Sequence, residues 1–247
     1  MIPLRRPPLP VELGARMDAQ RERLAARRRV DVPAARDAWR GARTVRRDIG
    51  ELLVLMAAGH ARCMYCCDSR GTSVDHFEPI MLAPLRAFDW SNHLLACSYC
   101  NSNQKRELFP RDETTHECLL VDPTVDPPDR HLRLRLGDGL YRGLTEKGRR
   151  TIEVFGLNRR QDLVLGRLDA VAQCQGMLRD SVRQAGAGNR DGARRMLAAL
   201  SRRPNGDVLY AMLSRRELPD AARLLGGDDV VAALRQLAAM IDKARLG

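Results

Sequence analysis

The sequence predicts an α+β protein that is mostly helical, with a small core that a bound metal ion stabilises and with helical regions on both sides of it. Three observations lead to this fold class. Two CxxC pairs stand 30 residues apart, and residues 63–110 are divided into short pieces by turn-forming residues. On both sides of this segment the chain is rich in Ala, Leu and Arg, with apolar residues at helical spacing.

Residues 1–60 predict a basic helical arm. A first helix is expected from Val11 to Arg29, after a Pro-rich start. A second helix is expected to begin at Asp31 and Pro33, because a capping residue followed by proline is typical of a first helical turn. We expect that helix to continue to Ala58.

A β-hairpin and a helical domain are expected after the central segment, which spans 61–125. The apolar run Cys118–Val121 predicts a short strand near the end of that segment. Residues 131–136 alternate between apolar and polar, and Gly137-Asp-Gly139 is a turn before Leu140-Tyr141, which indicates a hairpin. Helices are then expected at 145–155, 159–185, 189–201, 205–216 and 228–245. The hairpin and these helices make up the third expected domain, 126–247.

The charge of the chain is typical of a protein that binds a polyanion such as DNA. The net charge is +11 and the pI is about 10.0. The flanks are basic, whereas residues 61–120 carry more acidic than basic side chains. Only three of the 42 basic residues are lysines, so a general bias toward arginine explains part of the charge.

A cytoplasmic location is expected. The chain has no apolar stretch of about 18 residues, so no membrane span is predicted. Its N-terminal residues lack the apolar region of a secretory signal.

The two CxxC pairs predict a structural zinc site. Two residues between thiolates allow one tight turn to direct both sulfurs at one ion, and two such turns complete a tetrahedral site. An odd total of seven cysteines argues against a disulfide framework. A redox pair or an iron–sulfur site is disfavoured, and Cys67 is an alternative ligand to Cys66. The four expected zinc ligands are Cys63, Cys66, Cys97 and Cys100.

Between and just after these cysteines lie residues suited to hydrolysis of a phosphodiester. His76 is a candidate general base, because a histidine titrates near neutral pH. Asp75 offers a carboxylate and Asn101 an amide oxygen, which are hard ligands suited to Mg²⁺ or Mn²⁺. Because adjacent strand residues point to opposite faces, Asp75 and His76 are expected to need a bend or bulge to serve one site.

In combination, Asp75-His76, Asn92 and Cys100-Asn101 followed by Lys105 resemble the HNH, or ββα-metal, nuclease family in its zinc-containing form. The resemblance covers roughly residues 60–110. It implies a ββα-metal core in which His76 is the base and Asp75 and Asn101 bind the catalytic metal. It implies that Asn92 braces the loop that orients His76, and that Lys105 and Arg106 lie near the DNA. Three roles remain open for His93: a contact to phosphate, a ligand of the metal, or a structural side chain.

A wider series of motifs resembles the HNH nuclease subunits of Septu and retron-associated anti-phage systems. The series consists of Phe77-Glu-Pro79, Trp90, Leu108-Phe-Pro110, Asp122-Pro-Thr124 and Gly156-Leu-Asn158. The resemblance implies a DNA endonuclease that works with an ABC-type ATPase. Two alternatives remain: a stand-alone restriction or mobile-element nuclease, and a zinc-ribbon-like module that binds DNA or protein without catalysis.

Overall fold

Three helices form the N-terminal part of the computed structural model, which describes residues 1–246, with side chains for 1–242. They are α1 (Val11–Ala25), α2 (Val32–Gly41) and α3 (Arg43–Met56). Asp31 caps α2 by accepting a hydrogen bond from the amide of Ala34, as its place before Pro33 predicts. The prediction of one continuous helix to Ala58 was wrong.

The chain leaves helical geometry at Ala42, where φ is −80° and ψ is 54°. The break lets α2 and α3 bury different faces. Trp39 on α2 packs against the rings of Phe88 and His76, whereas the buried face of α3, which includes Ile49, packs on the central sheet. Helical periodicity alone does not report a change of direction between two apolar faces.

The central segment is built on an antiparallel pair of strands, β1 (Ser73–His76) and β2 (His93–Ala96). Two 3₁₀ turns, Pro84–Phe88 and Trp90–Asn92, occupy the connection between them. A π-helix, Tyr99–Lys105, follows β2 directly. The two strands and one helical turn lie where the sequence predicted the small core.

A second small sheet and seven helices complete the described chain. As predicted, β3 (Leu132–Leu134) pairs antiparallel with β4 (Tyr141–Gly143). The remaining elements are α4 (Pro128–His131), α5 (Glu146–Val154), α6 (Gln161–Gly186), α7 (Arg190–Leu200), α8 (Gly206–Leu213), α9 (Ala221–Leu225) and α10 (Asp228–Leu246). The protein is therefore mostly helical, with two two-stranded sheets.

Two further predictions differ from the structure. Cys118–Val121 is not a strand, because only an isolated bridge joins Cys118 to Arg111 and no second strand lies beside it in the described residues. The short helix α9 was not predicted, since five residues are too few to display a helical period. No described helix is long and apolar enough to cross a membrane.

Candidate functional site

Four buried cysteines bring their sulfurs together in the central segment. All four ligand atoms lie within 4.8 Å of one another, and the Sγ atoms of Cys66 and Cys97 are 4.0 Å apart. Four sulfurs at about 2.3 Å from one zinc ion stand about 3.8 Å apart in a tetrahedron, so this spacing fits a structural zinc. The cluster consists of Cys63, Cys66, Cys97 and Cys100.

A tight turn within each CxxC pair explains how the cluster forms. The amide of Cys67 donates to the carbonyl of Cys63 at 2.9 Å, and the amide of Asn101 donates to that of Cys97 at 3.0 Å. Hydrogen bonds within the cluster lower the pKa values of Cys66 and Cys97 and raise that of Cys100, so the four thiols share their protons. Cys67 does not belong to the cluster: its φ is +60°, and burial raises its pKa to about 11.

His76 ends β1 in a partly buried position. One ring nitrogen, Nε2, lies 3.0 Å from the carbonyl oxygen of Ala87, and the ring meets Trp39 edge-on at 4.5 Å between centroids. Burial lowers the pKa of His76 to about 4, so the ring is neutral at pH 7. A carbonyl only accepts hydrogen bonds, so Nε2 carries the ring hydrogen and Nδ1 keeps its lone pair.

His93 lies directly opposite His76 in the β-ladder and is fully buried. Its Nε2 lies 3.0 Å from the same carbonyl of Ala87, and its ring stacks on Trp39 at 5.1 Å. Burial first, and then the neighbouring His76, lowers the pKa of His93 to about 3. His93 thus packs as a neutral aromatic side chain between the strand and α2.

Asn92 ties together the two ends of the connection between the strands. Its Oδ1 accepts from the amide of Glu78 at 2.7 Å, and its Nδ2 donates to the carbonyls of Glu78 at 3.0 Å and Arg86 at 3.3 Å. Glu78 stands two residues after His76, and Arg86 precedes the carbonyl that His76 meets. The buried Asn92 amide therefore connects the strand end to the carbonyl that orients His76.

Asp75 points to the opposite face of β1, because the strand register runs from Ser73 to His76 without a bulge. The expected bend that would turn Asp75 and His76 to one face is therefore not present in the strand. The Asp75 carboxylate is buried, accepts from the hydroxyl of Tyr65, and lies 3.2 Å from the Lys105 ammonium. Burial raises the pKa of Asp75.

Lys105 is fully buried, in contrast to the exposed position expected of a DNA contact. Its ammonium donates to the backbone carbonyl of His76 at 2.7 Å as well as to Asp75. A side chain held in this way is not available to a phosphate, so its expected role is revised to balancing the Asp75 charge. Arg106, the other expected DNA contact, is exposed, and its Nε donates to the carbonyl of Ser102 at 3.1 Å.

Asn101 joins the Asp75 face of the strand. Its Nδ2 donates to Ser73 Oγ at 3.1 Å, and Ser73 lies two residues before Asp75. The π-helix after β2 accommodates the four-residue step from Asn101 to Lys105, since a π-turn holds one residue more than an α-turn. The amide of Arg106 donates to the carbonyl of Asn101 at 2.8 Å, which closes this wider turn.

Sequence reasoning missed Arg6, which holds the connection from the N-terminal tail. Its guanidinium donates to the carbonyls of Trp90 at 2.9 Å, Ser91 at 2.7 Å and His93 at 2.9 Å, on both sides of Asn92. Nothing in its local sequence signals this role, because its partners lie more than 80 residues away. Tyr65, the partner of Asp75, was also missed, because it lies within the first CxxC pair, where the cysteines account for the motif.

The arrangement defines a class of site: a four-cysteine module that carries a buried acid, a partly buried histidine and bracing amides. No protein-family model matches the chain, and no solved structure matches it. Over 87 residues it is 31% identical to the Septu protein PtuB of Bacillus mycoides (strain KBAB4), covering 30% of each protein. The chain thus spans about a third of that relative, which shows a distant and partial similarity.

Proposed function

We propose that this protein is a metal-dependent HNH endonuclease that hydrolyses DNA phosphodiester bonds as part of a Septu-type anti-phage system. The observation that carries the proposal is the orientation of His76. Ala87 holds one ring nitrogen, and Asn92 braces the loop that presents Ala87. The other ring nitrogen is neutral and available to take a proton from water.

Asp75 and Asn101 are the proposed ligands of a catalytic divalent ion. Carboxylate and amide oxygens suit Mg²⁺ or Mn²⁺, and an ion bound at Asp75 would take over the charge balance that the Lys105 ammonium provides in this structure. The ion would stabilise negative charge on the phosphate and leaving oxygen. Attack on phosphorus is in line, so His76 and the ion would approach the phosphate from different sides.

Asn92 acts in this proposal as a positioning residue, because its contacts are all with the backbone. Arg6 supports the same connection from outside. We also propose three domains: the basic arm 1–60, the catalytic segment 61–125 and the helical region 126–247.

The similarity to PtuB supports a place in a Septu system. Through the resemblance of its motifs, we propose an ABC-type ATPase as partner and DNA as substrate. A stand-alone nuclease is the second enzyme hypothesis. A non-catalytic zinc module is the third, and it does not require His76 to be oriented as a base.

Cleavage of supercoiled plasmid with Mg²⁺ tests the proposal, with and without the ATPase of the same system. We expect cleavage that depends on the metal, and His76→Ala to abolish it while bound zinc stays at the wild-type level. Activity of the isolated chain would favour the stand-alone nuclease. A His76→Ala protein that still cuts DNA or still supports anti-phage defence would contradict the catalytic assignment.

A further inference from the structure

An open groove of about 900 Å³ runs between α3 and the segment that leads into β1. One wall is a single face of α3, from Arg43 to Leu55. Val74 and Leu95, which pair across the two strands, line the groove together with residues 71–73. Val74 lies on the same face of β1 as His76, since the two residues are two positions apart.

The arginines of this wall leave the groove positively charged. Arg43 and Arg46 are exposed, and neither has a carboxylate within salt-bridge distance among the described side chains. Arg47 is paired with Asp48 and faces Glu51, the acidic residue that lines the groove. Two guanidinium groups therefore remain without a counter-charge.

The groove adjoins the candidate site at two residues. Trp39 lines the groove and packs edge-on against the ring of His76 at 4.5 Å. Ser73 also lines it and accepts the hydrogen bond from Asn101 at 3.1 Å. The guanidinium of Arg46 lies over the Trp39 ring at 5.5 Å, so a charge without a counter-ion lies beside the ring that packs against His76.

We propose that this groove binds the sugar–phosphate backbone of the nucleic-acid strand to be cut, with Arg43 and Arg46 contacting phosphates. The inference rests on the proposed function and names the surface that delivers its substrate. Arginine suits the role, because its planar donors match phosphate oxygens and it keeps its charge. Lys105 is buried and cannot make such a contact, whereas Arg43 and Arg46 are exposed.

Nucleic-acid binding by a charge-removal variant tests the groove. A fluorescein-labelled duplex DNA and a duplex RNA of the same sequence are titrated with the full chain in metal-free buffer, over a range of KCl concentrations. We expect Arg43→Ala/Arg46→Ala to weaken binding roughly tenfold and to reduce the salt slope by about 1 for each arginine. Comparison of the RNA and DNA titrations shows which sugar–phosphate backbone the groove binds more tightly.

The matched control is Arg194→Ala/Arg195→Ala, which removes the same charge from exposed positions on α7 outside the groove. We expect its affinity to stay within about twofold of the wild type, because only distant, screened charge is lost. Circular dichroism verifies that both variants fold. Arg43→Lys/Arg46→Lys is expected to recover part of the affinity, which a purely structural loss would not allow.

The outcomes separate the groove from the catalytic proposal. If the groove variant binds nucleic acid as tightly as the wild type, or if both double variants lose the same affinity, the groove proposal is overturned. This holds whether or not the protein cuts DNA. A wild-type chain that binds neither duplex overturns it as well, and an acidic protein partner would then explain the arginines. If the groove variant alone loses affinity while no cleavage is found, the groove stands and the nuclease proposal fails.

Discussion

The buried pair of Asp75 and Lys105 governs the charge balance beside the candidate metal ligands. Both side chains are almost fully removed from solvent, and the Tyr65 hydroxyl supplies a further hydrogen bond to the carboxylate. An unpaired charge in such a position is costly, whereas removal of both charges together is tolerated much better. Lys105 thus stabilises the protein through Asp75 rather than through a substrate.

Lys105→Met is therefore expected to lower the free energy of unfolding by about 3–5 kcal/mol, because it leaves the Asp75 carboxylate buried without a counter-charge. Urea unfolding measures the change. The control is Asp75→Asn/Lys105→Met, which should recover most of the loss. If the double variant is as unstable as the single one, the ion pair is not the source of the effect.

His93 links stability to pH. Its pKa of about 3 lies below the ordinary value of 6.5, so the unfolded chain takes up the proton first as pH falls. The groups nearest to it are His76, Arg6 and Asp89. The stabilisation by neutral His93 is complete above pH 6.5, and it is lost as pH falls toward 3.

We expect this residue to contribute roughly 1.4 kcal/mol of lost stability for each pH unit below about 6. Urea unfolding of the wild type and of His93→Gln over pH 7 to 5 measures it. Protonation of His76 and of the zinc thiolates affects both proteins, so the difference between their slopes isolates His93. Parallel slopes would show that His93 takes up its proton over the same pH range in the folded and the unfolded protein.

At the scale of elements, the connection between β1 and β2 is held mainly by side chains rather than by regular structure. Asn92, its last residue, binds the carbonyls of Glu78 and Arg86. Arg6 in the N-terminal tail binds the carbonyls of Trp90 and Ser91 in the connection and that of His93 at the start of β2. A lysine in place of Arg6 has one ammonium and no planar fork, so it cannot reproduce three spread contacts.

Arg6→Lys should therefore loosen the connection without unfolding the protein. We expect faster hydrogen exchange in residues 77–93, measured by mass spectrometry, and a lower rate of any plasmid cleavage with little change in DNA affinity. Arg5→Lys is the matched control, because Arg5 is exposed and makes no side-chain hydrogen bond among the described residues. Equal hydrogen-exchange rates in the two variants would show that Arg6 does not position the connection.

The two CxxC turns form the other element that maintains the site. We expect one zinc ion per chain by metal analysis. Cys66→Ser should lower that content and unfold the central segment, because a structural zinc contributes directly to folding. Cys67→Ala leaves the cluster intact and should retain the ion, with only the loss of a small buried side chain. Loss of zinc in Cys67→Ala would show that the neighbouring thiol is the true ligand.

At the scale of the whole molecule, the basic flanks surround a site whose own segment is acidic. The arm supplies more than charge, since Arg6, Trp39 and α3 contact or border the candidate site. The C-terminal helices pack around α6, whose buried Arg167 pairs with Asp207 on α8 at 3.2 Å. Helix α7 packs chiefly on α6, and α10 packs on α6, α8 and α9, so both helices belong to the C-terminal scaffold.

The sequence by itself determined which four cysteines cluster, the order of Asp75, His76, Asn92 and Asn101, and most of the helices. These features depend on spacing along the chain, where a CxxC turn or a helical period is a local property. Only the tertiary structure decided the burial of Lys105, the roles of Arg6 and Trp39, and the placement of Asp75 and His76 on opposite faces. Such contacts join residues far apart in sequence, because burial is set by what packs above a side chain and not by its neighbours in the chain.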